Sequence, residues 1–327
     1  MRAKLFALAL ACGLALRAAA PVPVIFDTDM GNDVDDALAL AMLHALESRG
    51  ECRIAAVTVT KDNPWSAVYV DLVNTFYGRA YIPVGTVRGS GITPDDSAMI
   101  KIPATRKDAA GRLVYPRRLG SGAEAPDATT VLQEALAAEA DGSVVIVQVG
   151  FSTNLARLLS AAPENIDLVR RKVKLLVMTA GNFVEPKPEF NVERDVASAR
   201  TLLRDWPGPI VLSGFEIGRS MLFPAAAIER DFAYIPDHPV AEAYRNYMKM
   251  PYDRPTWDLT AALYAVRPDS GYFSLSPAGE VTVDAQGRTT FHEESGGRRR
   301  YLTIDASQRA RTLEAMELLA SQPPRRD

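Results

Sequence analysis

The stretch Val24–Leu40, VIFDTDMGNDVDDALAL, places five aspartates (Asp27, Asp29, Asp33, Asp35 and Asp36) within ten residues, between an apolar β-branched run and an alanine- and leucine-rich segment of helical character. One strand-to-helix turn offers few free backbone N–H groups, so helix capping accounts for one or two of these carboxylates and not for five. The remainder repel one another unless a cation neutralises them, and hard oxygen donors suit Ca²⁺ or Mg²⁺. A metal site at the end of the first strand is the reading that this stretch favours.

Outward from this turn, short β-branched runs recur at Val24–Phe26, Ile54–Thr60, Val144–Val149 and Lys174–Thr179. Segments of helical periodicity lie between them, at Asp36–Ser48, Trp65–Gly78, Thr129–Ala140 and Asn154–Ala161. The alternation predicts an α/β fold with a Rossmann-like, mainly parallel sheet flanked by helices, and such sheets bind ligands beyond the carboxyl ends of their strands. Gly85–Pro126, rich in Gly, Pro, Asp and Arg, reads as a long, partly exposed excursion. Gly271–Ile304 reads as antiparallel edge strands with turns, and Ala306–Ser321 as a closing helix.

The first twenty residues have a basic start (Arg2, Lys4), an apolar run Leu5–Leu16 and Ala18-Ala19-Ala20 before Pro21, the pattern of a secretory signal peptide cut near Ala20. The expectation is therefore a leader over residues 1–20, one domain over 21–327, and a periplasmic or secreted product. The apolar run is too short to span a membrane and no later segment qualifies. Cys12 in the leader is a weak lipidation candidate. With the leader gone, Cys52 is alone and no intrachain disulfide is available. A net charge of −3 and arginines without interleaved aromatics argue against nucleic acid as a partner.

Two rival readings of the aspartate turn fail on spacing. An EF-hand would need a ligand where Gly31 stands and a closing glutamate, and the haloacid dehalogenase pattern needs a hydroxyl residue at that same glycine. The turn instead resembles the DxDxGxDDA motif of the nucleoside hydrolase family, the inosine-uridine preferring type. Asp27, Asp29, Gly31, Asp35, Asp36 and Ala37 match when Asp33 and Val34 are taken as an insertion. Further resemblances follow in order: Val149–Ala156 (VGFSTNLA), Gly181-Asn182, Glu189-Phe190-Asn191, and Trp257-Asp258.

That resemblance implies Ca²⁺ held by the side chains of Asp29, Asp36 and Asp258 and by the backbone carbonyl of Thr153, with Asp29 also taking a proton from the attacking water. It assigns the ribose hydroxyls to Asp35, Asn182, Glu189 and Asn191, with Asn63 lining the same pocket, and it implies a nucleoside substrate and a homodimer or homotetramer. Asp27 is expected to support the strand end. The chemistry is coherent in its own right, because cleaving an N-glycosidic bond builds positive charge on the sugar and carboxylates around the ring favour that state. Attack by water in one displacement inverts the anomeric carbon.

One departure from the family pattern stands out. Where many members carry a histidine before the late aspartate, suited to protonate the departing base, this chain has Trp257. Only His44, His238 and His292 are present, and of these only His238, in a proline-flanked loop, is a candidate for the pocket. Trp257 is suited to stack on a base, and Tyr252 and Asp253 are proton donors without motif support. Leaving-group activation is thus open, and so are two alternatives: a nucleoside- or ribose-binding protein without catalysis, and a hydrolase of another ribosyl or glycosyl substrate.

Overall fold

The computed structural model describes residues 20–325; the leader, including Cys12, lies almost wholly outside the described residues. Its strands are β1 (Val22–Thr28), β2 (Cys52–Val59), β3 (Val84–Thr86), β4 (Val144–Gln148), β5 (Val173–Thr179), β6 (Ile210–Ser213), β7 (Leu222–Phe223), β8 (Arg254–Pro255), β9 (Ser274–Leu275), β10 (Gly279–Val283), β11 (Thr289–Glu293) and β12 (Arg299–Thr303). The helices of the first half are α1 (Asp35–Ser48), α2 (Ser66–Phe76), α3 (Ala98–Thr105), α4 (Ala128–Ala138), α5 (Thr153–Ala161) and α6 (Pro163–Lys172). Those of the second half are α7 (Phe190–Arg194), α8 (Val196–Asp205), α9 (Phe215–Arg219), α10 (Ala225–Arg230), α11 (Pro239–Tyr247), α12 (Trp257–Val266) and α13 (Ala306–Ala320).

The main sheet runs β11-β10-β12-β6-β5-β4-β1-β2-β3, parallel from β12 to β3, with β10 and β11 antiparallel at one edge. This is the expected α/β architecture. Period-two alternation divides the sheet between two cores. Val24 and Phe26 of β1 face a core shared with α1, α12 and α13, whereas Ile25 faces one shared with α5 and α8. β1 lies between β2 and β4 and is buried from Val24 to Thr28, so its carboxyl end opens where loops from several strands meet.

Several expectations need correction. Gly85–Pro126 is more ordered than its composition suggests, since it begins inside edge strand β3 and carries α3. Helix α12 starts at Trp257, so that Trp257 and Asp258 form its first turn. Glu189 is the N-cap of α7, accepting from Asn191 N at 3.0 Å and Val192 N at 3.2 Å. Strand β12 does more than edge the antiparallel hairpin, because it also pairs in parallel with β6.

The histidines take structural places. His44 stacks on Tyr77 and its Nε2 pairs with Asn74 Oδ1 at 2.9 Å. His238 caps α11, accepting from Val240 N at 3.3 Å, inside a ring of Phe76, Tyr77, Phe232 and Tyr234. His292 is exposed on β11. Burial, with Arg79 for His44 and Arg245 for His238, pushes both buried imidazoles down to about 3. Each is neutral in the fold at a pH where the unfolded chain, with an ordinary value near 6.5, takes up a proton. The stability they contribute is therefore complete above about pH 6.5 and declines as pH falls toward 3. A His44→Leu/His238→Leu variant should show a shallower loss of stability between pH 6.5 and 4 than the parent. Denaturant midpoints at each pH measure this, and parallel curves would contradict it.

Candidate active site

The turn after β1 is shaped by Gly31, whose φ of +111° suits glycine and where a Cβ would stand 2.6 Å from Ile100 Cδ1. It delivers Asp35 and Asp36 into the first turn of α1, while α12 presents Asp258 from its own first turn. The two helix N-termini thus meet, and their partial positive charge favours the carboxylates placed there. Asp258 N–H donates to Asp35 Oδ2 at 3.1 Å, which locks the two ends together. α12 comes this close because Gly218 of α9 has no side chain; a Cβ there would be 2.4 Å from Trp257 Cα.

Asp35, Asp36 and Asp258, all buried, offer carboxylate oxygens within 4.8 Å of one another, a cluster able to hold a metal ion. Thr28 Oγ1 donates to Asp36 Oδ1, and Asp36 Oδ2 has no protein partner although it is buried. Burial first, and then mutual repulsion among Asp29, Asp33, Asp35 and Asp36, raises Asp35, Asp36 and Asp258 well above ordinary carboxylates. A hard divalent cation fits this donor set, because it answers the repulsion and gives Asp36 Oδ2 a partner.

Asp29 is raised by burial to about 6, moderated by its bond from Asn32 Nδ2 at 2.7 Å and by the charge of Lys61. Lys61, itself buried, donates to Asn32 Oδ1 at 2.6 Å, so that the Asn32 amide must turn its N–H toward Asp29. Asp27 lies beneath, accepting from Thr58 Oγ1 at 2.6 Å and Asn154 Nδ2 at 2.8 Å, and burial pushes it up to about 7. This is the supporting place expected for it. Glu189 is likewise raised by burial to about 7.

A cavity of about 300 Å³ has Asp29, Asp35, Asp36, Glu189, Asn191 and Asp258 in its wall. The wall also carries four aromatic residues, Phe190, Phe215, Tyr247 and Trp257, and Trp257 stacks on Phe215 at 5.5 Å. Three predicted residues are not brought to the wall. Asn63 accepts from Trp65 N at 2.7 Å and donates to Asp95 O, so its amide ties its own turn to the loop that carries Asp95. Asn182 Oδ1 accepts from Glu185 N at 2.9 Å, and Thr153 begins α5 with its hydroxyl on Asp195. His238, Tyr252 and Asp253 also lie off the wall: Tyr252 donates to Tyr244 O at 2.6 Å, and Asp253 accepts from Ala225 N at 2.8 Å.

Among the wall residues that the sequence did not single out are Arg254 and Asn32. Arg254 binds Asp33, with Nε 2.9 Å from Oδ1 and Nη2 on Oδ2, and Asn32 lies beside Asp29. Asp33 thus holds an arginine 221 residues further along the chain. An unmatched aspartate in an insertion was the one signal pointing to such a partner.

Residues 24–317 match the family model of the inosine-uridine preferring nucleoside hydrolases. The chain belongs to this family. It is thereby an N-ribosyl hydrolase by class. No curated protein matches it. The nucleoside hydrolase of Bacillus anthracis shares the fold at 20% identity, with a TM-score of 0.68 over 92% of this chain and 99% of that one. The purine-preferring ribonucleoside hydrolase of Gardnerella vaginalis does so at 18% identity and a TM-score of 0.67, over 91% and 99%. The type III effector XopQ, solved with adenosine diphosphate ribose, does so at 18% and 0.68, over 93% and 94%.

In this hydrolase Asn191 has a structural task besides its place on the wall. Its Nδ2 donates to Val149 O at 2.7 Å and Thr179 O at 3.1 Å, tying together the loops after β4 and β5. Asn191→Ala should cost about 2–4 kcal/mol, since two buried acceptors lose a donor. Urea unfolding measures this; a cost below about 0.5 kcal/mol would show that these bonds contribute little.

Proposed function

We propose that the protein hydrolyses the N-glycosidic bond of nucleosides, releasing ribose and free base, with Ca²⁺ as its metal. The observation that carries this reading is the convergence of Asp35, Asp36 and Asp258 with Asp29 and Glu189 on a cavity whose wall also carries the aromatic side chains of Phe190, Phe215, Tyr247 and Trp257. A sugar that turns cationic fits the first surface and a planar base the second. The ion would be held by Asp36 and Asp258, joined by Asp29 as the family resemblance implies, with Asp35 either at the ribose or beside the ion. When bound, it would polarise a water and hold sugar hydroxyls.

The chain's own residues supply the remaining steps. Asn32 engages one oxygen of Asp29, leaving the other to take the proton of the attacking water. Glu189, fixed by two backbone N–H groups of α7, and Asp35, fixed by Asp258 N, accept from the ribose hydroxyls and stabilise positive charge at the ring. Residues 1–20 would direct export to the periplasm or the medium, and the assembly would be a dimer or tetramer.

A second reading is supported by the absence of histidine from the cavity wall and by the neighbour solved with adenosine diphosphate ribose: the substrate would then be another ribosyl compound on the same sugar site.

Asp29→Asn should lower kcat for ribose release by about 10²–10⁴-fold while the protein still binds nucleoside. Asp36→Asn should weaken Ca²⁺ binding in calorimetry by more than tenfold, and chelation should remove the parent's activity. Full turnover by both variants, or in chelator, would refute the mechanism; release of ribose only from substrates other than nucleosides would favour the second reading.

A further inference from the structure

The guanidinium of Arg254 is held in a defined pose by groups from three parts of the chain. Asp33 takes Nε and Nη2, Tyr247 Oη accepts from Nη2 at 3.1 Å, and the guanidinium carbon lies 5.0 Å from the Tyr247 ring centre and 5.3 Å from that of Trp257. Both Arg254 and Asp33 are only about one-fifth exposed (21% each), and both line the cavity. Among the described residues Nη1 has no hydrogen-bond partner, so two N–H donors remain free on a cation pinned beside the aromatic wall. An arginine meant to bind a substrate carboxylate or phosphate would keep its fork open, whereas here Asp33 occupies the fork's Nε–Nη2 edge.

We infer that Arg254 stabilises the departing base, donating a hydrogen bond to a ring nitrogen or carbonyl oxygen of the leaving group, and that Asp33 is its positioning residue. This rests on the hydrolase reading above. When the C1′–N bond breaks, its electron pair passes to the base, and the water oxygen forms the new bond to C1′ while Asp29 receives the water's proton. The base leaves as an anion hydrogen-bonded to Arg254 and takes its proton from solvent, to which Asp29 returns one, so the sum is nucleoside plus water to ribose plus base. Arg254 keeps its own proton, because Asp33 holds the guanidinium's affinity for it above the usual range in spite of burial. The class of substrate selected is a neutral nucleoside with an acceptor atom on the base. The two-residue insertion, Asp33 and Val34, thereby gains a function.

The test compares a natural nucleoside with p-nitrophenyl riboside, whose leaving group departs as a stable anion without such help. In Arg254→Gln the ratio of kcat on the nucleoside to kcat on the nitrophenyl riboside should fall about 100-fold, the scale of losing one transition-state hydrogen-bond donor. Arg254→Lys should recover part of it, and Asp33→Asn should move the ratio in the same direction by a smaller factor. An unchanged ratio in Arg254→Gln, whether both activities fall together or neither falls, would overturn the assignment. Thermal melts of each variant verify folding, and a kcat ratio is insensitive to the fraction of protein folded. A folded parent that releases ribose from neither substrate would instead remove the hydrolase reading on which the inference stands.

Discussion

Mutual repulsion among buried carboxylates is the constraint around which this fold is organised. Asp29, Asp35, Asp36 and Asp258 are almost fully enclosed, and burying a lone anion is costly enough that such groups ordinarily protonate or find a counter-charge. The protein meets part of that cost with its own backbone. The N-termini of α1 and α12 both point into the cluster, the Asp258 N–H reaches Asp35, and Lys61 sits one amide away from Asp29. What these leave unmet, notably at Asp36 Oδ2, is a demand for a cation from outside.

Holding charges this close requires elements that cannot drift, and the sheet supplies them. β1 is central and hydrogen-bonded on both sides, so the turn that follows it starts from a fixed point. Asn191 ties the loops after β4 and β5 through their carbonyls, and Asn154 reaches back to Asp27 under β1. These polar side chains thus join adjacent strand ends, and the residues on the wall inherit their spacing from the strand separation of a parallel sheet.

What was legible in the sequence followed from locality. The aspartate turn announces itself because five like charges in ten residues have no ordinary explanation, and the long strands and helices because their periodicity is sustained. Strand β6 and the short helices α7, α9 and α10 escape because four to six residues carry too little pattern. Asn182 matches the motif in place and yet turns its amide to its own loop, and Asn63 spends its amide on Trp65 N and Asp95 O, choices made by backbone geometry that composition does not carry. Arg254, in Pro251-Tyr252-Asp253-Arg254-Pro255, has nothing local to mark it; its meaning depends on Asp33, more than two hundred residues away.

That long-range pair also gives the cavity a direction. Heterolysis of an N-glycosidic bond separates positive charge on the sugar from negative charge on the base, and an environment accelerates it when its fixed charges oppose that separation least. The carboxylates collect where α1 and α12 begin, whereas the arginine stands among Tyr247 and Trp257 on the aromatic side. Pairing with Asp33 keeps the guanidinium from collapsing onto Asp29 or Asp35, which would cancel both ends of this arrangement, while its free Nη1 still presents donors. A histidine would offer a proton at the cost of titrating near neutral pH; a paired arginine offers a permanent charge and no proton. On the assignment of Arg254 proposed above, departure of the base would rest on electrostatic stabilisation where an acid is lacking, and Asp33 in the first turn is what holds the arginine for it.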